Sequence, residues 1–193
     1  MFQMGRGGNN HESIEAQVDY TQFLSFILGN ETYGVDILRV QEIRGWEMPT
    51  NLPGLPSYVK GVINIRGAIV PILDMRELFH IGEPTYDHST VVVITRIAVS
   101  QDDRVGKLMG LVVDGVSDVV GINLNELQTA PQFDNNQKVS DEFIKGLASI
   151  EQKMVILLDV DKLLGLGTLK QAIKPQHRLD IEMFKEGNNN GVC

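Results

Sequence analysis

The chain has 193 residues, of which 42% are hydrophobic and 22% are charged, as is usual for a soluble globular protein. The formal net charge of −8 argues against a general nucleic-acid-binding protein, which needs a basic surface to displace counterions. The one cysteine, Cys193, is the last residue, so an internal disulfide is excluded and a cytoplasmic setting is expected. No apolar run is long enough to span a bilayer, so we expect no direct membrane insertion.

The first predicted elements in chain order are short strands. Residues Phe23–Leu28 form an apolar run that ends at the turn pair Gly29-Asn30. A second strand is predicted from the alternating apolar residues Tyr33, Val35 and Ile37. The alternation slips at Leu38 and Val40, which indicates a β-bulge or a helical turn before Ile43.

The clearest predicted hairpin runs from Val59 to Leu73. Arg66-Gly67 forms its tight turn, because glycine takes positive φ without a steric penalty. Pro71 lacks a backbone N–H and is therefore expected at a sheet edge or a bulge. Asp74 is predicted to cap a short helical turn that follows the hairpin.

This hairpin is repeated later in the chain. Residues 59–79 and 144–164 align without a gap, 85 positions apart. The two copies are identical at Lys60/Lys145, Gly61/Gly146, Ile65/Ile150, Val70/Val155, Leu73/Leu158, Asp74/Asp159 and Leu78/Leu163. A second echo precedes each copy, starting at Gly34 and at Gly110. Two copies of one supersecondary unit predict two similar modules, each with its own core.

The fold class follows from the repeat and the short strands, which include Val91–Ile97 and Leu108–Val113. They predict an all-β protein of two small barrels or a sandwich, with minor helices. The predicted domains are a disordered leader over 1–19, a first module over 20–88, a second module over 89–166, and a C-terminal extension over 167–193 that is partly helical and then disordered.

The sequence lacks the motifs of metal, nucleotide and catalytic sites. Four histidines without paired cysteines predict no dedicated metal site, and no phosphate-binding loop, EF-hand loop or nucleophile elbow is present. Asp36 and Glu42 could form an acid–base pair, but a strand with one solvated face explains them more simply. We therefore predict no metal, no cofactor and no catalytic residue, and a protein that works through its surfaces.

The chain closely resembles the CheW family of bacterial chemotaxis coupling proteins in the segments NETYGVDILRVQEIRG, YVKGVINIRGAIVPILDMRELF and GLVVDGVSDVV. The likeness runs in register from Phe23 to Leu164. It implies two tandem five-stranded SH3-like barrels that pack together. It also implies an adaptor that links the cytoplasmic hairpin tips of chemoreceptors to the regulatory domain of the histidine kinase CheA. Such an adaptor is cytoplasmic and is recruited to receptor arrays at the inner membrane.

The resemblance also implies two contact regions. The receptor-contact positions are Ile37, Val40, Glu42, Ile43, Lys60 and Arg66. The kinase-contact positions are Gly61, Gly67 and Ile69. The second copy has Glu151 in the place of Arg66, and a residue needed only for the shared fold should recur in both copies.

Several of these positions have two interpretations on sequence alone. Arg66 is either a solvated turn residue or a guanidinium that binds a partner carboxylate bidentately. Glu42 either accepts a hydrogen bond from a receptor or pairs with Arg44. Val40 and Ile43 either line a groove between the barrels or belong to the core.

Other functions stay open at this stage. The chain could serve as the coupling protein of a related chemosensory pathway that does not control motility, which genomic neighbours would decide. It could also be a sensor that binds a small molecule between the barrels, for which a ligand-induced rise in melting temperature is the test. An enzyme is the third alternative, to be tested by activity screening.

Overall fold

The computed structural model describes residues 20–98, 106–129 and 143–163. The predicted leader over 1–19 and the predicted extension over 167–193 lie outside these residues. Within these ranges ten strands form two five-stranded sheets, and α1 (Met75–Leu78) and α2 (Val160–Leu163) are single helical turns. The predicted all-β class with short helices is confirmed. Within the described part of the chain, no helix is long and apolar enough to cross a membrane.

Each sheet is closed into a small barrel by one isolated bridge. The sheet that we call barrel 1 contains β3 (Val40–Gly45), β4 (Val59–Ile65), β5 (Ala68–Asp74), β6 (Val91–Ile97) and β7 (Lys107–Val113). Barrel 2 contains β1 (Tyr20–Leu28), β2 (Glu31–Asp36), β8 (Gly115–Asn123), β9 (Ile144–Ile150) and β10 (Lys153–Leu158). The closing bridges join Thr50 to Val62 and Gln128 to Leu147.

The two barrels are interleaved along the chain, which corrects the predicted modules over 20–88 and 89–166. Strands β1 and β2 precede barrel 1 in sequence, but β1 pairs with β8 and β2 pairs with β10. A boundary at residue 88 therefore separates β1 and β2 from the rest of their own barrel. The strand order is β3-β6-β7-β5-β4 in barrel 1 and β8-β1-β2-β10-β9 in barrel 2. Strands β1 and β2 thus take in barrel 2 the places of β6 and β7.

Both sequence echoes correspond to equivalent structure. The copies over 59–79 and 144–164 form β4-β5-α1 and β9-β10-α2. In barrel 1, Ile72 pairs with Gly110 across parallel strands, and in barrel 2 Leu157 pairs with Gly34 in the same way. Ile72 and Leu157 are equivalent positions of the repeat. The upstream echo therefore corresponds to β7 and β2, the strands that pair in parallel with the second strand of each hairpin.

Most local predictions are confirmed, and the prediction for Pro71 is wrong. The slip in strand alternation is a 3₁₀ turn over Ile37–Arg39, followed by a register shift between Val40 and Glu42. Asp74 caps α1 and accepts hydrogen bonds from the backbone of the helical turn. Pro71 lies neither on an edge strand nor at a bulge, because β5 has neighbours on both sides and Pro71 pairs with Val62 in regular register. Its parallel pairing with β7 starts only at Ile72, so Pro71 stands at the end of that ladder.

The apolar core has three parts. Barrel 1 encloses Ile65, Val70, Ile72, Val92, Ile94 and Val112. Barrel 2 encloses Phe23, Ile122, Ala148, Val155 and Leu157. The largest cluster combines residues of both barrels, and its aromatic rings follow one another from Phe26 to Tyr33, Phe79 and Phe143 at centroid distances of 6.0, 5.8 and 6.5 Å. Burial of this shared cluster holds the two barrels together.

Candidate functional site

A groove in barrel 1 separates β3 from the tip of the β4–β5 hairpin. Strands β3 and β4 are the two ends of the sheet, and an isolated bridge joins Val62 of β4 to Thr50, which follows β3. The groove has a volume of about 320 Å³ and is lined by Glu42, Ile43, Arg44, Asn64, Ile65 and Arg66. Three of the six predicted receptor-contact residues, Glu42, Ile43 and Arg66, therefore line one groove, although Arg66 lies more than twenty positions after the other two.

The hairpin tip points Arg66 into solvent through a fixed backbone turn. Ile65 pairs with Ala68, and the two residues between them both have positive φ, 50° at Arg66 and 89° at Gly67. This pair of angles is that of a type I′ turn, which matches the twist of the strands. The backbone N–H of Gly67 also donates to the side chain of Asn64 at 2.8 Å. The predicted tight turn is confirmed, and Arg66 shares its left-handed conformation.

The second copy makes the same turn with other side chains. Ile150 pairs with Lys153, and φ is 48° at Glu151 and 69° at Gln152. The backbone conformation is therefore part of the repeated fold and does not require glycine. What changes between the copies is the charge at the tip.

Glu42 pairs with two arginines, with Arg66 across the groove and with Arg44 on its own strand. Its carboxylate lies 3.3 Å from a guanidinium nitrogen of Arg66 and 3.7 Å from one of Arg44. The side chain of Arg66 is 87% exposed, so its ion pair with Glu42 is solvated and weak. Arg66 can therefore exchange Glu42 for a carboxylate of a partner at little energetic cost.

The apolar members of the predicted receptor region divide into two groups. Ile37 and Val40 are partly buried against the core between the barrels. Ile43 is exposed and lines the groove, whose lining residues all belong to barrel 1. The core interpretation thus applies to Val40 and the groove interpretation to Ile43. The groove at Ile43 lies within barrel 1 and not between the barrels.

Lys60 lies apart from this groove. Its ammonium group forms an ion pair with the carboxylate of Glu77 in α1, and both side chains are largely buried. The two copies differ here as well, because Lys162 takes the place of Glu77 in the second copy. The structure thus gives Lys60 a specific partner that sequence reasoning did not identify.

The predicted kinase-contact residues occupy two environments. Ile69 is 64% exposed and lies in a second groove of about 470 Å³, on the side of the hairpin toward β6 and β7. Gly67 is exposed at the tip, with open space where a side chain would stand. Gly61 is buried, and a Cβ atom there would lie 2.2 Å from the backbone oxygen of Thr50. Gly61 recurs as Gly146 in the second copy, and this close approach to the backbone indicates that Gly61 serves the fold.

A polar network around the buried side chains of Asp74 and Arg76 was not predicted from the sequence. Arg76 in α1 donates to Asp74 at 2.9 Å and to Asp114 at 2.7 Å, and Tyr86 donates to Asp74 at 2.8 Å. Trp46, just after β3, stacks on Tyr86 with 4.3 Å between the ring centroids. The sequence contained one indication of this network, a difference in charge between the two copies. Asp161 of the second copy stands where the first copy has Arg76.

The network changes the acidity of its members. Burial raises the pKa of Asp74, but hydrogen bonds from Arg76 and Tyr86 and the charge of Arg76 outweigh burial, so the pKa lies below its usual value. Burial raises the pKa of Tyr86, and donation to Asp74 raises it further. Asp74 is therefore a carboxylate and Tyr86 a neutral phenol at neutral pH.

Acid should remove the contribution of Asp74 to stability. A carboxyl group whose pKa falls on folding stabilises the protein above its unfolded value of about 3.9, and this effect is lost as pH falls through the folded value. We expect Asp74→Asn to lower the free energy of unfolding by a constant amount above about pH 5 and by less toward pH 2. Denaturant titrations of both proteins at several pH values measure this difference. A difference that stays constant down to pH 2 would contradict the assignment.

No cluster of three or more histidine, cysteine, aspartate or glutamate side chains with metal-binding geometry occurs among the described residues. What barrel 1 offers is an arginine at a rigid turn, a shared carboxylate and two exposed isoleucines. Such groups can bind another protein through charge-assisted hydrogen bonds and apolar contact.

Comparison with known proteins identifies the family. Residues 22–167 match the family model of the CheW-like domain, so the match spans both barrels. The chain belongs to the CheW-like family. The resemblance stated from sequence segments is therefore confirmed, and the CheW-like domain includes every predicted contact residue.

Individual CheW proteins agree with this assignment. The chain is 42% identical over 144 residues to the chemotaxis protein CheW of Klebsiella aerogenes, which covers 75% of this chain and 81% of that protein. It is 34% identical over 142 residues to CheW of Rhizobium meliloti, which covers 72% and 84%. The crystal structure of the scaffolding protein TtCheW from Thermoanaerobacter tengcongensis gives a TM-score of 0.67 at 28% identity and covers 78% of this chain and 96% of that chain. The predicted fold of two SH3-like barrels is confirmed.

Proposed function

We propose that this CheW-like chain is a non-enzymatic adaptor that couples chemoreceptors to the regulatory domain of the histidine kinase CheA. The observation that carries the proposal is the β4–β5 hairpin, which borders two separate grooves, one toward β3 and one toward β6 and β7. One small element can therefore contact two partners at once. The relatives named above are chemotaxis and scaffolding proteins, in agreement with this role.

The groove toward β3 is assigned to the receptor. Glu42, Ile43 and Arg66 line it and offer an acceptor, an apolar contact and an exposed guanidinium. Ile37 and Val40 precede these residues along the chain and pack partly against the core between the barrels. Lys60 lies outside the groove, is assigned to the receptor by family resemblance, and has its ammonium group paired with Glu77. The partner is the cytoplasmic hairpin tip of a chemoreceptor.

The groove toward β6 and β7 is assigned to the kinase. Ile69 supplies an exposed apolar anchor there, of the kind that contributes strongly to protein–protein binding. Gly67 leaves the hairpin tip open, and Gly61 shapes the start of the hairpin by allowing the bridge at Thr50. The adaptor is cytoplasmic and is recruited to receptor arrays at the inner membrane by these contacts.

Coupling arises because both partners bind the same hairpin. Two weak contacts become strong in an array, since each binding event raises the effective concentration of the next. A change in receptor state alters how the kinase regulatory domain packs on barrel 1, and this linkage is a coupling free energy between two sites.

Arg66→Ala should weaken binding to receptor-containing membranes while leaving the free energy of unfolding within about 0.5 kcal/mol of wild type, because the side chain is exposed. We expect a loss of affinity of about tenfold, as for one charge-assisted contact. Sedimentation with receptor membranes measures binding, and denaturant titration measures stability. Glu151→Ala is the matched control, since Glu151 holds the same turn position in the second copy.

The complementary variant is Ile69→Glu, which should weaken binding to the isolated kinase and spare binding to receptor membranes. Met154 is the equivalent exposed residue of the second copy, so Met154→Glu is its control. If Arg66→Ala and Ile69→Glu affect both partners equally, the assignment of separate surfaces is wrong. A large loss of stability in Arg66→Ala would show that Arg66 is structural.

A further inference from the structure

The chain crosses between the barrels twice within the described residues, and each crossing carries a charged residue in an ion pair. From β2 to β3 it passes through the 3₁₀ turn Ile37–Arg39, where Arg39 pairs with Asp161 of α2. From β7 to β8 it passes through Asp114, which lies 2.7 Å from Arg76 of α1. In both cases the helical turn of one barrel holds the segment that leads to the other barrel.

The two ion pairs occupy equivalent places with their charges exchanged. Arg76 and Asp161 stand at the same repeat position, two residues after the aspartates Asp74 and Asp159. The aspartate of each pair also accepts a backbone N–H from the residue after an equivalent strand. Asp114 accepts from Gly29 after β1 at 2.7 Å, and Asp161 accepts from Ala98 after β6 at 2.9 Å. We call each ion pair between a crossing segment and a helical turn a clamp. The fold contains two equivalent clamps in which arginine and aspartate have exchanged places.

The clamps differ in burial. The side chain of Arg76 is 4% exposed and is also bound by Asp74 and by the backbone oxygen of Thr85. The side chains of Arg39 and Asp161 are 36% and 32% exposed. A partly exposed pair is weaker than a buried and fully hydrogen-bonded one when either partner is removed. The crossing at Arg39 is therefore the less firmly fixed of the two.

The less firmly fixed crossing carries residues of the proposed receptor surface. Ile37 begins the 3₁₀ turn, Val40 follows it, and Leu38 between them is 82% exposed. Asp36 caps the turn by accepting the backbone N–H of Leu38 at 2.9 Å. The turn is also held by the hydrogen bond from the N–H of Val40 to the oxygen of Ile37 and by packing of Ile37 and Val40 on the core, and Arg39 adds an ion pair with α2.

We propose that Arg39 and Asp161 are positioning residues for receptor binding. Their ion pair adds to the core packing of the 3₁₀ turn, so that Leu38 and the exposed parts of Ile37 and Val40 form a preformed apolar surface, which lowers the ordering entropy lost on binding. This inference rests on the proposed function and adds to it two residues, one of them in barrel 2. Barrel 2 then contributes to receptor affinity without touching the receptor.

Charge exchange is the direct test. Arg39→Asp and Asp161→Arg should each lower affinity for receptor-containing membranes about tenfold, and the double variant should recover most of it. The double variant has the polarity of the Arg76–Asp114 clamp, in which the aspartate lies on the crossing segment and the arginine on the helical turn. Affinity for the isolated kinase should stay within about twofold in all three variants. Lys162→Ala, in the same helical turn, is the control.

The outcomes separate the two proposals. Single variants that bind receptor membranes like wild type, or a double variant as weak as the singles, would overturn the positioning role. Loss of kinase affinity to the same extent would also overturn it, because that result indicates a general loss of structure. If wild type binds no receptor membranes, the proposed function fails with it. Hydrogen exchange at the amides of Leu38 and Val40 then still shows whether the clamp orders the turn, through faster exchange in the singles and recovery in the double variant.

Discussion

Replacing Arg76 with methionine is expected to lower the free energy of unfolding by about 3–5 kcal/mol, the usual effect of removing one partner of a buried ion pair. Asp74 is fully buried. In this variant its carboxylate would keep the hydrogen bond from the hydroxyl of Tyr86 but would lose the ion pair with the guanidinium of Arg76. Asp114 would keep the N–H of Gly29 but lose its contact with α1. Methionine fills much of the volume of arginine, so the loss reports on charge and hydrogen bonds more than on a cavity.

Arg44→Met is the matched control for this prediction. Arg44 is partly exposed and pairs with Glu42 at 3.7 Å and Glu47 at 3.2 Å, so its loss should cost about 0–1 kcal/mol. Urea titrations of the two variants and wild type provide the comparison. If Arg76→Met costs no more than Arg44→Met, the buried network does not stabilise the fold. Since Asp161 stands at the equivalent position of the second copy, the repeat itself does not require an arginine there.

The second large effect is expected at Gly61. Gly61→Ala should lower the free energy of unfolding by about 3 kcal/mol, from strain at positive φ and from steric overlap. Its φ is 133°, and the new Cβ would lie 2.2 Å from the oxygen of Thr50. That oxygen accepts the backbone N–H of Val62 at 2.9 Å in the bridge that closes barrel 1. Relief of the clash therefore requires opening the barrel.

Two glycines of barrel 1 serve as controls for Gly61. Gly45 has open space around it and no positive φ, so Gly45→Ala should change stability by less than about 0.5 kcal/mol. Gly67 has open space but a φ of 89°, so Gly67→Ala isolates backbone strain, about 1–2 kcal/mol. Thermal and urea unfolding of the three variants should give the order Gly45, Gly67, Gly61. If Gly61→Ala is as stable as Gly45→Ala, the close approach to Thr50 is wrong.

Local features of the fold were predictable because they depend on neighbouring residues. The hairpin at Arg66-Gly67, the cap at Asp74 and the strand over Val91–Ile97 each follow from turn chemistry, capping or apolar periodicity. The duplication was visible for the same reason, since both copies meet the same local demands over 21 aligned positions, 59–79.

The pairing of distant strands was not predictable from these patterns. Strand β2 forms a parallel pair with β10, which begins more than a hundred residues later. No local pattern in β2 indicates that β10 is its partner. Two modules, each continuous in sequence, were therefore the simplest expectation. The echo at Gly34 and Gly110 did contain a clue. Each echo starts in one barrel and leads into the next, which is the crossing that interleaves them.

The candidate site likewise depends on long-range contacts that local sequence patterns do not indicate. The proximity of Glu42 to Arg66 came from family resemblance, because the separation of β3 from the hairpin depends on closure of the barrel. Arg76 and Tyr86 were missed because their burial is a tertiary property, and each alone looks like an ordinary surface residue. Comparing the charges of the two copies position by position would have singled out Arg76.

Reconstituted kinase activity tests the coupling role most directly. CheA-type kinase autophosphorylation is measured with receptor-containing membranes, with and without this protein, and then with an attractant. We expect strong activation that requires both membranes and this protein, and that the attractant suppresses. Activation should fall in Arg66→Ala and persist in Glu151→Ala. Kinase activity that is the same with and without the protein, although both partners bind it, would contradict the coupling role.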